Sequence, residues 1–276
     1  MKSYIIRVFY LGRNYYGSQW QPTVQTIQGE LIDALSKWSG KQYSLDMISF
    51  SGRTDKGVSS IGQIIYLESE KPPNLDKINS YLPDDIILWA FAEAPSEFSP
   101  RFGVLSRHYR YYLSTVGLVL NHDDIRKAGS YLIGTHNYRL LSKPDNGRNT
   151  IATILNISIT DHRSNLIIDV YGVSFLWKLV RKIVTLLVTI GAGHYSPESI
   201  LKILDGEDVI TGGIEPAPPE GLVFMEAIIP FRLKPSKNAI AQMRKKIAME
   251  TSFHNRTLTM LDGLAEIPFS IGKMFS

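Results

Sequence analysis

The chain has 276 residues, 44% of them hydrophobic and 20% charged, which is enough apolar material for one or two folded domains and excludes a disordered or fibrous protein. It has no cysteine, so a disulfide framework, a thiolate nucleophile and a cysteine-based zinc site are all excluded, in keeping with a reducing cytoplasm. The net charge of +4 is uneven: between Arg232 and Arg256 Lys and Arg greatly outnumber Glu250, the only acid there, so the remainder is slightly acidic and not a uniformly basic surface.

The first residues, Met1-Lys2-Ser3-Tyr4-Ile5-Ile6-Arg7, carry Arg7 where a secretory apolar core would have to continue, and they read as a strand rather than a leader. Alternation over 4–10 predicts that strand, and Ile27, Leu31, Leu35 and Trp38 predict a helix over 26–38. Strands follow at 47–50 and 63–68, a helix at 75–82 and a strand at 86–92. After Pro95 the same βαββαβ order recurs: strand 109–114, helix 124–133, strands 154–160 and 166–171, helices 175–190 and 197–204, and strand 222–230. The expected class is therefore α+β, with two tandem ferredoxin-like (RRM-like) units at 1–95 and 96–232, a cleft between them, and a basic helical extension at 233–276. The longest apolar run, 173–190, carries Lys178, Arg181 and Lys182 near its middle, where charge is costly in lipid, so a buried helix is expected and no membrane partner.

Three patterns bear on chemistry. In Ser51-Gly52-Arg53-Thr54-Asp55-Lys56-Gly57-Val58 a carboxylate lies between glycines on a tight connection between strands. Taken alone, Asp-Lys-Gly is an ordinary way to reverse a strand. In the 175–190 segment, Ser174, Lys178, Arg181 and Thr185 form a narrow polar stripe; a guanidinium on a mostly buried helix needs an anion, and its planar fork suits Asp55. Pro100-Arg101-Phe102-Gly103 and Arg107-His108-Tyr109-Arg110-Tyr111-Tyr112 interleave cations with rings, which suits RNA phosphates and bases, although any single tyrosine in a strand can simply pack.

Together these motifs resemble the TruA-type tRNA pseudouridine synthase family. Tyr10-Leu11-Gly12-Arg13-Asn14-Tyr15-Tyr16-Gly17 is similar to its opening loop, Val24-Gln25-Thr26-Ile27-Gln28-Gly29 to the helix start after it, Arg53 to Val58 to its catalytic signature, and Pro219-Glu220-Gly221-Leu222 to its closing motif. The resemblance implies that Asp55 is the nucleophile, that Tyr109 stacks on the target base and that Arg181 pairs with Asp55. It implies a role in RNA binding for Arg53, Arg101, Arg107, Arg110 and Lys178, with Arg53 bracing the space left by a flipped nucleotide. Isomerisation of uridine in the anticodon stem-loop of tRNA, without metal or organic cofactor, by a cytoplasmic homodimer, is the implied function.

Departures from the family pattern are Ser59 where a His is usual, Gly134-Thr135-His136-Asn137-Tyr138 in place of a Gly-x-His-Asp-Phe-like stretch, and a short connection over 115–123. The six histidines show no metal-ligand spacing. The Arg244-Lys245-Lys246 cluster is either a phosphate contact or a solvated helix face. A non-catalytic tandem RRM-like RNA-binding protein is the alternative, for which 62–67 lacks the aromatic-rich third-strand motif.

Overall fold

The computed structural model describes residues 2–95, 98–99, 103–143, 147 and 149–265. In chain order the elements are β1 (Lys2–Tyr10), α1 (Ile27–Ser39), β2 (Ile48–Phe50), β3 (Ser59–Ser69), α2 (Leu75–Asn79) and β4 (Ile86–Glu93). The second series is β5 (Ser106–Ser114), α3 (His122–Tyr131), β6 (Gly134–Asn137), β7 (Ile151–His162), β8 (Asn165–Gly172), α4 (Leu179–Gly191), α5 (Ser199–Leu204) and β9 (Leu222–Ile228). A two-residue strand β10 (Lys234–Pro235) and the long helix α6 (Lys237–Ala265) follow.

Local chemistry accounts for the helix boundaries. The Thr26 side chain accepts from Gly29 N–H at the start of α1, and Gly40, at φ 74°, ends it. Asn121 does the same for α3 by accepting from Asp123 and Asp124 N–H. The α4 start differs from expectation: the helix begins at Leu179, not Phe175, after Lys178 at φ 65°. Chain leaving β8 at Gly172 must first cross from the sheet to the helix layer, and Phe175 packs there against Tyr109 with ring centres 4.9 Å apart. Ser174 and Lys178 therefore lie off the helix, and the polar stripe is reduced to Arg181 and Thr185.

The strands form one ten-stranded sheet in the order β10-β4-β1-β3-β9-β5-β8-β7-β6, with β2 also paired to β3. Within it the order β4-β1-β3-β2 is matched by β9-β5-β8-β7, so each series is wound the same way. The two series share a sheet instead of facing each other as separate layers: β3 pairs in parallel with β9 through Ser59↔Val223 and Ser60↔Phe224. Because β2 pairs with β3 only at 65–67, β9 takes over the edge along which β2 would continue. The chain between Phe50 and Ser59 is thereby expelled from the sheet at the junction.

Ile6, Val8, Tyr10, Ile65 and Leu88 bury one face of the first series against α1 and α2. Phe9 and Ile87, on the other face by strand alternation, receive Ala239 and Met243 of α6. In the second series α3, α4 and α5 cover a core containing Tyr109, Tyr111, Leu166, Ile168 and Phe224. No helix among the described residues is long and apolar enough to cross a membrane.

On the face of β5 opposite Tyr109, His108 and Arg110 both bond Asp169 of β8, at 2.5 Å and 2.8 Å, and His108 stacks on Tyr171. Burial pushes the Asp169 carboxyl up, but the hydrogen bonds from Arg110 and His108 outweigh it and hold the group below the ordinary carboxylate range. A depressed carboxyl contributes stability that is fully present above its unfolded pKa and is lost as pH falls through the folded one. Urea unfolding should therefore show wild-type stability falling on acidification through and below the ordinary carboxylate range. Asp169→Asn should cost about 3 kcal/mol at neutral pH, by leaving His108 and Arg110 unpaired, and should flatten that acid dependence. An unchanged acid dependence in the variant would assign it to other carboxylates.

Candidate active site

The expelled loop of 51–58 carries Asp55 and is held from below by the segment that follows β1. Thr54 N–H donates to Ser18 Oγ at 2.9 Å, Ser18 N–H donates to Thr54 O at 3.1 Å, and Gly57 N–H donates to Tyr15 O at 3.3 Å. The Tyr10 and Thr54 hydroxyls share a buried hydrogen bond of 2.8 Å. Burial pushes the Tyr10 phenol up to about 12. Gly12 lies so close that a Cβ there would sit 2.2 Å from Val58 O, and the Gly12 N–H donates to Ser59 Oγ at 3.1 Å. Ser59 thus has a definite task, bracing the opening loop. On the sheet side, Gln63 Nε2 donates to Gly52 O and Ser51 Oγ donates to Gln63 Oε1, both at 2.7 Å.

Asp55 reaches across the junction to the second series. Arg181 Nη1 donates to Asp55 Oδ2 at 3.0 Å, and Trp177 Nε1 donates to Asp55 Oδ1 at 2.9 Å. The expected pairing of Asp55 with Arg181 is present, with a different geometry: only one arm of the fork meets the carboxylate, while Arg181 Nε donates to Ala217 O. That carbonyl lies in the connection ahead of Pro219, and Ala217 N–H donates back to Arg181 O at 3.0 Å. The Arg181 side chain is 11% exposed and that of Asp55 22%, so the pair is largely desolvated yet one edge of the carboxylate meets solvent.

Tyr109 lies beneath the loop, 7% exposed, its ring against Phe175 and Phe224. Burial pushes its hydroxyl well above the usual phenol range, with Tyr10 and Asp55 adding to the shift. Around the carboxylate, Arg53 is exposed and makes no ion pair among the described residues. Lys56 Nζ sits 3.9 Å from the centre of the Tyr16 ring, and Lys143 and Lys178 lie over Trp177 at 4.2 and 5.9 Å. Lys143 and Lys178 thus gather on the indole that bonds Asp55, while Arg53 and Lys56 flank Asp55 in the chain.

Two cations expected to meet RNA are placed otherwise. Arg107 is buried, and its guanidinium donates to Ser51 O and Val173 O, tying the Asp55 loop to the strand end that precedes Trp177. Arg110 is held by Asp169 on the opposite face of the sheet. Arg101 lies outside the described residues. Trp177, Lys143 and Lys56 were not singled out from sequence; an aromatic flanking the Arg181 helix was the available sign for Trp177.

The fold and this arrangement define an enzyme site built on a paired carboxylate at the junction of two similarly wound halves. A family profile described as tRNA pseudouridine synthase matches residues 128–230. The chain is 39% identical over 226 residues to tRNA pseudouridine synthase A of Methanosarcina acetivorans, covering 80% of this chain and 82% of that protein. It is 35% identical to the enzyme of that name from Pyrococcus furiosus, over 80% of this chain and 81% of that one. For Methanothermobacter thermautotrophicus the figures are 32% identity, 92% and 90%. The chain belongs to the tRNA pseudouridine synthase family of isomerases.

Because a Cβ on residue 12 would collide with backbone rather than with a movable side chain, Gly12→Ala should displace the Asp55 loop while leaving both cores intact. Circular dichroism should show native secondary structure and turnover should fall by about tenfold or more. Wild-type turnover would mean that the opening loop does not set the position of Asp55.

Proposed function

We propose that this enzyme isomerises uridine to pseudouridine in the anticodon stem-loop of tRNA, with Asp55 as nucleophile. The observation that carries this reading is the Asp55 carboxylate, gripped from the second half by Arg181 and Trp177 and open on one edge, with Lys143 and Lys178 on the Trp177 indole and exposed Arg53 and Lys56 beside it in the chain. The architecture behind it is two ferredoxin-like units, at 1–95 and 96–232, fused through β3 and β9, with α6 as an added tail.

The reaction breaks the bond between uracil N1 and ribose C1′ and forms one between C5 and C1′; the C5 proton leaves and N1 gains one, so no electrons are exchanged. Asp55 attacks either C1′ or C6, and both routes require an unblocked carboxylate lone pair. A uridine within a stem cannot reach a carboxylate seated at the sheet junction, so the nucleotide is flipped out, and exposed Arg53, two residues from Asp55, fills the vacated space. Tyr109 stays protonated at neutral pH, given the upward push on its hydroxyl, so it packs beneath the base and offers a hydroxyl rather than a phenolate. Arg107 acts as a strut of the catalytic loop. Non-catalytic RNA binding gives no reason for a largely desolvated Asp55–Arg181 pair.

The test is incubation of purified protein with unmodified tRNA and mapping of pseudouridine. Conversion in the anticodon stem-loop is expected with wild type, with Asp55→Asn abolishing turnover while tRNA binding stays within a few fold. Arg181→Lys should lose most turnover, since a single ammonium cannot bond Asp55 and Ala217 O in the same geometry. No conversion at any uridine by folded wild-type protein would sink the proposal.

We also propose a cytoplasmic homodimer, as the family resemblance implies. Supporting it, Phe253, Met260, Leu261 and Leu264 of α6 are each about half exposed along the part of the helix that runs beyond its seat on the sheet. Sedimentation at micromolar concentration should give twice the monomer mass; a monomer throughout would remove this part.

A further inference from the structure

We infer that Trp177 is the positioning residue that sets the plane of the Asp55 carboxylate. The inference rests on the proposed nucleophilic role of Asp55. Arg181 holds only Oδ2, through one nitrogen, because its Nε is committed to Ala217 O. A carboxylate held at one oxygen can still swing about the bond to its Cβ, a torsion with a broad, shallow preference. The indole N–H at 2.9 Å on Oδ1 closes that freedom. Each carboxylate oxygen has two lone pairs, so one donor on each fixes the group and leaves a lone pair on either oxygen for attack.

The indole suits this task because it donates and never accepts, and because it does not titrate. Its placement is built into the backbone. Lys178 adopts φ 65°, a conformation uncommon for a residue with a side chain, and it delays the start of α4 by a turn. Were the helix to begin at Phe175, Trp177 would lie on its circumference; the left-handed residue instead leaves it in the turn that faces Asp55. Two further contacts hold it there: Lys143 N–H donates to Trp177 O at 2.9 Å, and the Lys143 ammonium lies 4.2 Å from the ring centre. The strain at Lys178 and the clamp at Lys143 thus converge on one indole that the hydrophobic packing does not require, since Trp177 is 42% exposed.

Trp177→Phe removes the donor and keeps a ring, and the exposure of the site makes a folded variant the expected product. At saturating tRNA its single-turnover rate should fall by about tenfold or more, the scale of one hydrogen bond to a charged group, while tRNA affinity stays within a few fold. A Phe variant with a wild-type single-turnover rate overturns the inference. So does a variant that loses affinity alone, which would make Trp177 an RNA contact. A readout independent of turnover is the indole N–H spectrum of the four tryptophans. The resonance missing in Trp177→Phe should move upfield in Asp55→Ala while the other three stay in place, and if it does not move the contact is absent and the inference falls. Should wild type convert no uridine, the functional reading fails on that count, and the indole shift still decides whether Trp177 holds Asp55.

Discussion

The parallel contact between β3 and β9 is the constraint on which the site depends. It involves only Ser59↔Val223 and Ser60↔Phe224, yet it merges two separately wound halves into one sheet. Ser60 reinforces it by donating its hydroxyl to Phe224 O at 3.0 Å. A strand edge can hold one neighbour at a time, so where β9 begins β2 must stop, and the intervening loop has nowhere to go but out of the sheet. Asp55 stands at that point because of a competition for backbone partners. Any catalytic side chain on the loop then has both halves within reach, and the second half answers with Arg181 and Trp177.

Electrostatics at the junction follow from how little of each charge remains in water. An exposed pair of this kind would be worth little, whereas Arg181, nearly buried, would be costly without partners. Its guanidinium is satisfied by one carboxylate oxygen and one backbone carbonyl, so Asp55 and the 217–222 connection are fixed relative to each other. Arg107 performs the same service lower down, linking Ser51 O to Val173 O. Two arginines from the second half therefore hold the loop of the first, and the cations left for a polyanion are the exposed ones: Arg53, Lys56 and Lys143, with half-exposed Lys178 beside them.

Much of this was legible in the sequence because it rests on local chemistry. The cap at Thr26 and the apolar spacing of Ile27, Leu31 and Leu35 are local, and so is the Gly-flanked Asp55 turn. Arg181 was legible for a different reason, since a cation on an apolar helix implies an anion somewhere. What could not be read depends on long-range pairing. The junction strand contact carries no periodic signature, and β6, four residues long, is too short to show alternation against β7. The identity of the face to which Arg107 and Arg110 turn is a matter of register, which put one under the Asp55 loop and the other on Asp169. Trp177 was hidden by a boundary: an uninterrupted apolar run gives no sign that one residue at φ 65° will hold the helix back.

The tail shows how a charge count misleads when partners are unknown. Of the cluster Arg244-Lys245-Lys246, only Lys246 lies on the face that carries Met243 and Glu250, at spacings of three and four residues. It pairs with Asp84 at 2.9 Å and Glu250 at 3.1 Å, whereas Arg244 and Lys245 are exposed. Glu250 in turn meets Arg13 at 2.9 Å, next to Gly12, whose backbone rests on Val58 and Ser59. Lys246 is thus a fastening and not a free phosphate ligand, and it belongs to a chain of contacts leading from α6 through Arg13 to the loop that presents Asp55. The links to Asp84 and Arg13 each have one exposed partner and are of modest strength, whereas Lys246 and Glu250 are both largely buried; Met243 and Ala239 are buried on the sheet nearby and hold the helix in register. The basic tail is therefore joined to the candidate active site through geometry, by steadying the opening loop, whatever its exposed cations Lys234, Lys237, Arg244, Lys245 and Arg256 meet.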